Sequence, residues 1–338
     1  MTEDPVNGSA PLGQGKPKLL RLEIAASHAG KRLDLVLAAL FPDYSRMRLN
    51  KLVKEGAVLV NGRPVKPSFS LKTGQNLSID LPPREEPGLK PAPEVALKIL
   101  HEDADIIVVD KSPFIAVHPG AASSGATLIE ALLAVHPELA LMEMEDRCGV
   151  VHRLDKDTSG VLLVARNSEA RKFLSRKFAE RRVKKRYLAF VRGNPPKTGF
   201  IDRPIGRHPT RRHKMAAGAP GGRAARTGYR VLRRFPRAGI SLVSLSLFTG
   251  RTHQARVHLA AEKFPVLGDS VYGSGFKGLF RDFPTLEPLV KRQCLHARRL
   301  TFPAPRSGER LSFASPWPED FTELYRELVR LEEPSGDL

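Results

Sequence analysis

The sequence predicts an α+β protein with two structured units, a small basic one followed by a larger one. Strand-like segments, either alternating or short and apolar, outnumber the helical ones and follow no regular strand–helix–strand rhythm, so a doubly wound parallel sheet is not expected. Five prolines between positions 82 and 93, with charges among them, are typical of a semi-rigid linker. We therefore divide the chain into a tail at 1–17, a compact unit at 18–83, a linker at 84–93, a larger domain at 94–330 and a tail at 331–338.

The charge of the chain indicates a polyanionic partner. It holds 55 lysines and arginines against 36 acidic residues, which gives a net charge of +19 and an isoelectric point near 10.2. Phosphates attract such an excess of cations regardless of nucleotide sequence. A basic protein without such a partner is the plain alternative. An anionic membrane surface is a third, but no basic amphipathic anchor or lipidation motif supports it, so no membrane partner is expected.

The cysteines and the apolar runs indicate the compartment. Cys148 and Cys294 are the only cysteines and lie far apart, so no disulfide framework is expected and a reducing compartment is favoured. The segment 1–5 lacks the basic and apolar regions of a signal peptide. No apolar run approaches the ~18 residues of a membrane-spanning helix. We expect a cytoplasmic protein.

Two helices are predicted at the start of the small unit. Residues 32–40 have helical apolar spacing, and Pro42 ends that helix. Ser45 is a candidate N-cap for a second helix at 46–54, which Gly56 ends.

The rest of the small unit predicts a hairpin behind a basic helix. Asn61-Gly62 is a type I′ turn signal, and 77–81 alternates as a closing strand. A basic helix face can follow a phosphate backbone, although a solvated surface helix has the same pattern. This order of elements resembles the small alpha-L RNA-binding module. The cations that we assign to RNA in this unit are Arg32, Arg46, Arg48, Lys51 and Lys54.

The larger domain opens with a buried strand at 106–109 and continues with two helices. Thr127 and Glu130 fit a capping box at the first helix. Ser168 is the predicted cap of the second helix, whose polar face carries Arg171 and Lys172 as further candidate RNA contacts. Residues 244–247 alternate as a half-exposed strand.

A charged loop between two apolar strands is the candidate catalytic segment. Val150-Val151 leads into a polar stretch that re-enters an apolar run at 161–165. Within it, Asp155 lies beside Arg153 and Lys156, cations that favour its ionised form. An ionised carboxylate in such a loop can act as a nucleophile or a general base. A salt-bridged loop aspartate is the alternative interpretation.

Two further segments carry candidate site residues. Tyr187 follows three basic residues at a strand start, which suits a stacking platform for a base, although a core tyrosine is the simpler interpretation. In Thr249–His258, Gly250 permits a tight turn and Thr252 can cap a helix. That arrangement would place Arg251 at a helix N-terminus, a natural anion site, with a phosphate contact or a surface charge as alternatives.

Together, the segments His152–Gly160, Lys184–Gly193 and Thr249–His258 resemble the motifs of the RluA-type pseudouridine synthases. The resemblance implies a mixed, mainly antiparallel sheet with a central cleft. It also implies that uridines in RNA are isomerised to pseudouridine without a cofactor. In this family, Asp155 would be the catalytic residue, Tyr187 would stack on the target base, and Arg251 would pair with Asp155.

The segment 204–216 resembles the branch of this family that modifies large-subunit ribosomal RNA, which makes that RNA or a ribosome precursor the expected partner. The remaining RNA-binding candidates are Arg153, Arg207, Arg211, Lys214, His253 and Gln254. Transfer RNA as substrate, a non-catalytic ribosome-assembly factor and a metal-dependent RNA hydrolase are the alternatives. Neither histidine pair, His253/His258 nor His208/His213, has the spacing of two metal ligands on one helix face, so no metal site is predicted. No nucleotide-cofactor fingerprint follows a strand, and the modified uridines and the oligomeric state are not specified by the sequence.

Overall fold

The structure, a computed structural model, describes residues 18–41, 44, 46–81, 89–119, 125–142, 148–211, 214–274 and 276–333. The chain divides between Leu89 and Lys90 into two compact units. The tail at 1–17 and linker positions 84–88 lie outside the described residues, as do 334–338 of the second tail.

Two boundaries differ from the prediction. Ala92, assigned to the linker, is buried in the larger unit, and its N–H donates to the carbonyl of Glu130 at 2.9 Å. The C-terminal helix continues to Glu332, beyond the predicted end at 330, because its amphipathic pattern persists there. The larger unit therefore extends slightly further at both ends than the composition of the sequence indicates.

The small unit is an antiparallel sheet with two helices packed on it. Its strand order is β1-β4-β2-β3. Leu33 and Leu37 of the first helix and Leu49 and Val53 of the second are buried with the strand residues in one core. The elements are β1 (Lys18–Glu23), α1 (Leu33–Leu40), α2 (Arg46–Lys54), β2 (Val58–Val60), β3 (Arg63–Pro64) and β4 (Asn76–Leu81).

The predicted hairpin is confirmed. Val60 pairs with Arg63 across a two-residue turn, and Asn61 and Gly62 have φ of 50° and 74°. Positive φ at both central positions is the type I′ geometry, which matches the twist of the flanking strands. The helix at 46–54 is also confirmed, whereas its predicted cap, Ser45, lies outside the described residues.

The larger unit is organised around one nine-stranded sheet. A stretch of chain between two of its strands forms a separate two-stranded sheet. The elements are β5 (Ile99–Glu102), β6 (Ile106–Lys111), α3 (Leu128–Val135), β7 (Ser159–Ala165), α4 (Ser168–Ala179), β8 (Lys184–Arg192), β9 (Thr198–Asp202), β10 (Ile205–Arg207), β11 (Met215–Ala217), β12 (Arg226–Phe235), β13 (Ile240–Leu247), α5 (Gln254–Ala261), α6 (Phe276–Asp282), β14 (Leu295–Pro303), β15 (Arg310–Ala314) and α7 (Glu319–Glu332).

The topology of the large sheet confirms a mixed, mainly antiparallel architecture. The order is β5-β6-β7-β14-β8-β13-β12-β9, with β15 pairing β14. Among the described strand pairs, β7 and β14 are parallel, and their register joins His296 to Ser159 and Ala297 to Gly160. The other pairs are antiparallel. The strand β14 thus joins the β5–β7 part of the sheet to the β8–β9 part.

Two cores flank this sheet. Leu163 of β7, Leu174 of α4 and Phe302 of β14 belong to one, and Phe190 of β8 packs against Phe321 of α7 in the other, with ring centroids 5.2 Å apart. These layers hold both sides of the β7–β14–β8 junction. Within the described part of the chain, no helix is long and apolar enough to cross a membrane.

The predicted capping box of α3 is confirmed. The carboxylate of Glu130 accepts from the N–H of Thr127 at 2.8 Å, and the side chain of Thr127 accepts from the N–H of Glu130. The cap of α4 is instead Asn167, one residue before Ser168, because the side-chain oxygen of Asn167 accepts from Ala170 N at 2.8 Å.

Candidate active site

The loop that carries Asp155 is fixed at its start by a half-buried histidine. Nε2 of His152 accepts a hydrogen bond from the N–H of Leu163 on β7 at 2.9 Å, and its ring stacks on Phe178. Burial lowers the pKa of His152 to about 3, and the charge of Lys185 acts in the same direction. The ring is therefore neutral near pH 7, as its acceptor role requires. His152 positions the loop.

Two cations hold the carbonyl groups that follow Asp155. Nζ of Lys111 donates to the carbonyls of Ser112, Ile115 and Lys156 at 2.8–2.9 Å. Burial lowers the pKa of Lys111 to about 7, and the charge of Arg292 adds to that effect. Arg292 donates to the carbonyl of Asp157 at 2.9 Å.

Arg292 is itself fixed by a bidentate pair with Asp320 on α7, at 2.7 and 3.0 Å. Such a pair locks the orientation of a guanidinium. The loop is consequently attached to β6, β7 and α7 at separate points.

The carboxylate of Asp155 is half-buried and engages one cation directly. Its Oδ2 lies 2.9 Å from Nη1 of Arg256, and its Oδ1 lies 3.9 Å from Nε2 of His253. The first distance is that of a charge-assisted hydrogen bond and the second is too long for one. One oxygen is thus held by Arg256, while the other lies beyond hydrogen-bond distance of His253.

Arg256 is anchored by a second, fully buried carboxylate. Its Nε and Nη2 donate to the two oxygens of Asp269 at 2.7 and 2.9 Å. Burial alone would lower the pKa of Arg256, but the hydrogen bond and charge of Asp269, with those of Asp155, raise it above its usual value.

Asp269 also accepts from the N–H groups of Val271 and Tyr272. Although burial acts against ionisation, the hydrogen bond and charge of Arg256 and these N–H groups hold the pKa of Asp269 below its usual value. Asp269 therefore fixes the guanidinium of Arg256, and Arg256 binds the carboxylate of Asp155 in the loop.

The predicted pairing of Arg251 with Asp155 is wrong. Arg251 donates from Nε to the carbonyl of Ala224 at 3.3 Å, and Arg256 occupies the position against Asp155. The reason lies in the start of α5. The helix begins at Gln254, after His253 in the left-handed region with φ of 55°, and Thr252 does not cap it.

The turn before α5 is closed by the side chain of Gln254, which was predicted to bind RNA. Its oxygen accepts from the hydroxyl of Thr249 at 2.6 Å and from Arg251 N at 3.0 Å. Its amide nitrogen donates to the Arg226 carbonyl and the Thr227 hydroxyl. Because all its hydrogen-bonding groups are used internally and it is buried, Gln254 is a structural residue and the RNA-binding assignment is wrong.

Tyr187 comes to the same site from β8. It is buried opposite Leu245 of β13, and burial, together with the negative charge of Asp155, raises its pKa above the usual value. The structure therefore brings together two of the three predicted catalytic side chains, Asp155 and Tyr187.

The other predicted RNA contacts differ in their exposure and partners. His253 bonds through Nδ1 to the hydroxyl of Tyr272 at 2.7 Å, and Lys214 donates to the Val271 carbonyl, so both are tied to the segment after Asp269. Arg171 is half-buried, and Arg32 is exposed and pairs with Asp34 at 3.0 Å. The side chains of Arg46 and Arg48 lie outside the described part of the chain. The exposed candidates are Lys51, Lys54, Arg153, Lys172, Arg207 and Arg211.

Sequence reasoning assigned no site role to Arg256, Asp269, Lys111 or Arg292. Arg256 lies 101 positions from Asp155 and Lys111 lies 45 from Lys156, so no local spacing relates them. The one sequence feature that could have indicated Arg256 is its position in Thr249–His258, the motif that also contains Arg251. Choosing between the two arginines requires the residue at which the helix begins.

Each of the two units matches a known sequence family. A sequence model described as RNA pseudouridylate synthase matches residues 105–261, and one described as the S4 domain matches residues 31–77. The chain belongs to the RNA pseudouridine synthase family, and it is an isomerase that acts on RNA. The family resemblance of the sequence motifs is thus confirmed.

Several named relatives resemble the chain over most of its length. A protein of Neisseria meningitidis serogroup A named ribosomal large subunit pseudouridine synthase D is 43% identical over 316 residues, which cover 92% of this chain and 82% of that protein. A protein of the same name from Xanthomonas campestris is 42% identical, over 88% of this chain and 89% of its own. The solved structure of human RNA pseudouridylate synthase domain containing 4 is 27% identical, covers 69% of this chain and 93% of its own, and gives a TM-score of 0.55.

Gly160, at the end of the Asp155 loop, gives a stability prediction. A Cβ there would lie 2.3 Å from the carbonyl oxygen of Ala297 on β14, and φ is +114°. We expect Gly160→Ala to lower the free energy of unfolding by about 2–4 kcal/mol, since both the clash and the backbone conformation are unfavourable. Urea unfolding followed by the fluorescence of Trp317, the single tryptophan, reports on the larger unit.

The matched control is Gly239→Ala. This glycine also has positive φ, +62°, but nothing lies within 4 Å of a Cβ built there. Its substitution should cost only about 1–2 kcal/mol, the cost of the left-handed conformation alone. Equal losses of stability in the two variants would show that the β7–β14 approach does not need a glycine.

Proposed function

We propose that this enzyme isomerises uridines of large-subunit ribosomal RNA and that Asp155 is its catalytic residue. The observation that carries the assignment of Asp155 is its contact with Arg256 at 2.9 Å, backed by buried Asp269. A carboxylate held in this way has a fixed orientation and a neighbouring positive charge. Its second oxygen lies 3.9 Å from Nε2 of His253, beyond hydrogen-bond distance.

The chemistry requires a reactive group that holds the base while it turns. The glycosidic C–N bond of uridine is cut, the uracil rotates, and a C–C bond forms between carbon-5 of the ring and the ribose. The proton that carbon-5 loses is balanced by one that the freed ring nitrogen gains. Asp155 can serve as the nucleophile, at the ribose or at the uracil, or as a base. A target uridine must leave its stack to reach a carboxylate in this loop, so we propose that the nucleotide is flipped out.

Tyr187 is proposed to stack on the flipped uracil. Its ring comes from a central strand of the sheet, and burial there fixes its position with little freedom to lose. Base–aromatic stacking is worth about 1–3 kcal/mol per base. Burial raises the pKa of the phenol and the negative charge of Asp155 adds to that effect, which supports a common role.

Two observations support large-subunit ribosomal RNA as the substrate. Relatives about 40% identical over most of the chain carry the name ribosomal large subunit pseudouridine synthase D. The segment 204–216, which resembles that branch, forms the antiparallel pair β10–β11, with Arg207 and Arg211 exposed beside it. Exposed arginines at a hairpin suit contacts with an RNA backbone.

The substrate is tested by mapping pseudouridine in total RNA from host cells with and without the gene. The proposal expects that defined positions in large-subunit ribosomal RNA lose the modification in the deletion strain. Loss confined to transfer RNA would move the substrate to that class. If no position changes in any RNA, the chain acts in this host as an RNA-binding factor and the proposal fails.

We also propose that the enzyme works in the cytoplasm, where its RNA substrate is made. The sequence holds two cysteines, far apart at 148 and 294, and Cys294 is a buried free thiol, which suits a reducing compartment. Cell fractionation with an antibody against the chain tests this. Recovery in an extracytoplasmic fraction would contradict it.

The small unit is predicted to position the RNA. A chain that begins at Lys90 should bind large-subunit ribosomal RNA more weakly and modify it less selectively, yet retain isomerase activity, because the Asp155 site belongs to the larger unit.

Removing one cation that neutralises a phosphate, such as exposed Lys51 or Lys54, should reduce the slope of log affinity against log salt by about 0.7–0.9.

Two measurements check the truncation. Salt titrations of RNA binding give the slope, and mapping of the modified positions gives selectivity. The urea midpoint reported by Trp317 shows whether the larger unit remains folded. A folded truncated enzyme with the full salt slope and unchanged selectivity would show that the small unit does not position the RNA.

A further inference from the structure

Two exposed phenylalanine rings lie in contact at one corner of the large sheet. Phe200 of β9 is 65% exposed and Phe248, just after β13, is 45% exposed, and their ring centroids are 6.1 Å apart. Single exposed apolar residues are common on protein surfaces, but a contacting pair of rings is less so and marks a binding surface. We call Phe200, Phe248 and the intervening Arg226 the aromatic corner.

The three side chains share one face of the sheet. Phe200 pairs with Gly228 of β12, and Gly228 pairs with Ser246 of β13. Arg226 precedes Gly228 by two positions and Phe248 follows Ser246 by two, which keeps both on this face since side chains alternate along strands.

Gly228 makes room for the two rings. A Cβ at this position would lie 3.1 Å from Phe200 and 3.3 Å from Phe248. Glycine in a strand interior has no side chain to pack and weakens the strand. Its presence here lets both rings lie close over the backbone of β12. The corner is thus a flat aromatic surface built on three strands.

Arginine completes the surface and gives it a positive charge. The guanidinium of Arg226 lies 4.8 Å from the Phe200 centroid and 5.5 Å from that of Phe248. Its nearest acid, Asp202, is 3.8 Å away, and both side chains are mostly exposed, so that pair holds it weakly. Because Phe200 remains 65% exposed with Arg226 in place, a substantial part of its ring is open.

Further cations lie on the same face. Arg186 pairs with Ser246 and Arg230 pairs with Ser244, and both arginines are exposed. Three exposed arginines around two phenyl rings, with Asp202 as the acid beside them, form a surface suited to a polyanion that also offers planar rings. Single-stranded RNA has both properties, since its phosphates meet the arginines and its unstacked bases meet the rings.

The aromatic corner is also close in sequence to the active-site turn. Phe248 immediately precedes Thr249, whose hydroxyl bonds Gln254 at the start of α5, and Arg226 N donates to that same hydroxyl at 3.0 Å. Helix α5 carries Arg256, the partner of Asp155. A nucleotide held at the corner would therefore be coupled through a single turn to the site.

We propose that the aromatic corner stacks an unpaired base of the RNA substrate, outside the pocket that receives the target uridine. This rests on the proposed function, since it assigns an RNA strand to a surface of the larger unit. Stacking on the open face of Phe200, with the arginines on the flanking phosphates, holds an unpaired part of the substrate strand at this corner.

The test compares the binding of two probes by variants of the full chain. A short fluorescent oligouridylate carries bases and phosphates, whereas polyphosphate carries phosphates alone. Phe200→Ala and Phe248→Ala, alone and combined, should weaken oligouridylate binding, by about 5- to 100-fold in the combined variant. Polyphosphate binding should stay unchanged.

Three variants serve as controls. Phe200→Trp keeps an aromatic face and should bind the oligouridylate as the wild type does. Phe200→Leu keeps an apolar side chain without a ring and should lose affinity. Leu232→Ala removes an exposed apolar side chain, 50% exposed, from the same strand β12 and should have no effect. Fluorescence of Trp317 verifies folding in each variant.

The outcomes separate this proposal from the proposed function. If Phe200→Leu and the combined alanine variant bind oligouridylate like the wild type, no base stacks here and the proposal is overturned. Self-association of the wild type that the combined variant loses, with oligouridylate binding unchanged, would also overturn it and assign the corner to a protein contact. Weakened oligouridylate binding in an enzyme that makes no pseudouridine in ribosomal RNA would reject the substrate assignment and leave the corner as an RNA site.

Discussion

Asp155→Asn is expected to abolish pseudouridine formation, with a loss in single-turnover rate on the order of 10⁴-fold or more, the scale seen when an essential reacting group is removed. The amide keeps the size and shape of the side chain and can still accept a hydrogen bond from Arg256. It can act neither as a nucleophile nor as a base at neutral pH. Affinity for large-subunit ribosomal RNA should change little, because the exposed cations that contact phosphates remain.

The matched control is Asp157→Asn, the same chemical change two positions further along the loop. The carbonyl of Asp157 is the group that Arg292 binds, and an amide side chain leaves that carbonyl in place. This variant should keep most of its activity. Rates measured with enzyme in excess over RNA, beside equilibrium binding, distinguish the two variants. Turnover by purified Asp155→Asn at a rate near that of the wild type would remove Asp155 from the reaction.

Arg256→Ala has the second largest expected effect, on both activity and stability. It deprives Asp155 of its cation and leaves Asp269 ionised and fully buried without a partner side chain. Breaking a buried pair by removing one partner costs about 3–5 kcal/mol. Loss of a fixed charge at a reacting group costs about 10²- to 10³-fold in rate. Urea unfolding and single-turnover rates measure the two effects separately.

Two further variants show which arginine serves Asp155. Arg251→Ala should reduce the rate much less than Arg256→Ala, because among the described residues the side chain of Arg251 bonds only to the carbonyl of Ala224. Arg256→Lys keeps the charge but cannot hold Asp269 with two nitrogens and reach Asp155 with a third, so it should recover part of the stability and little of the rate. If Arg251→Ala is the more damaging substitution for turnover, the assigned partner of Asp155 is wrong.

Sequence reasoning found the loop because its signal is local. Charged residues between two apolar strand segments locate the loop, and the resemblance of His152–Gly160 to the family motif singles out Asp155 within it. The Asn61-Gly62 turn and the Thr127–Glu130 capping box are local in the same sense, and the structure confirms both. The helix at 46–54 also follows from periodicity within its own segment.

The partner of Asp155 was missed because it depends on where α5 begins. The predicted N-cap is Thr252 and the observed one is His253, which leaves Arg251 before the helix and places Arg256 in its first turn. The start is set by the left-handed conformation of His253 and by the side chain of Gln254, which closes the turn. Neither feature has a signature in the sequence of that segment.

The side chains that hold the Asp155 loop could not be predicted from local sequence patterns either. Lys111 and Arg292 look like ordinary surface cations in the sequence. The sheet order nevertheless places both against the loop, because Lys111 ends β6, Arg292 lies just before β14, and these strands are the two neighbours of β7. That order joins strands distant in the chain, including the parallel β7–β14 pair. Burial of these cations follows from topology, which apolar periodicity does not determine.

The central claim is that Asp155 carries the isomerisation of uridines in large-subunit ribosomal RNA. The most direct test replaces the chromosomal gene by one encoding Asp155→Asn and maps pseudouridine in that RNA. Because the folded protein is still present, any role in binding or assembly is retained and only the reaction is lost. We predict that the positions unmodified in the deletion strain are equally unmodified in the Asp155→Asn strain. Full modification of those positions by the Asp155→Asn protein would contradict the claim.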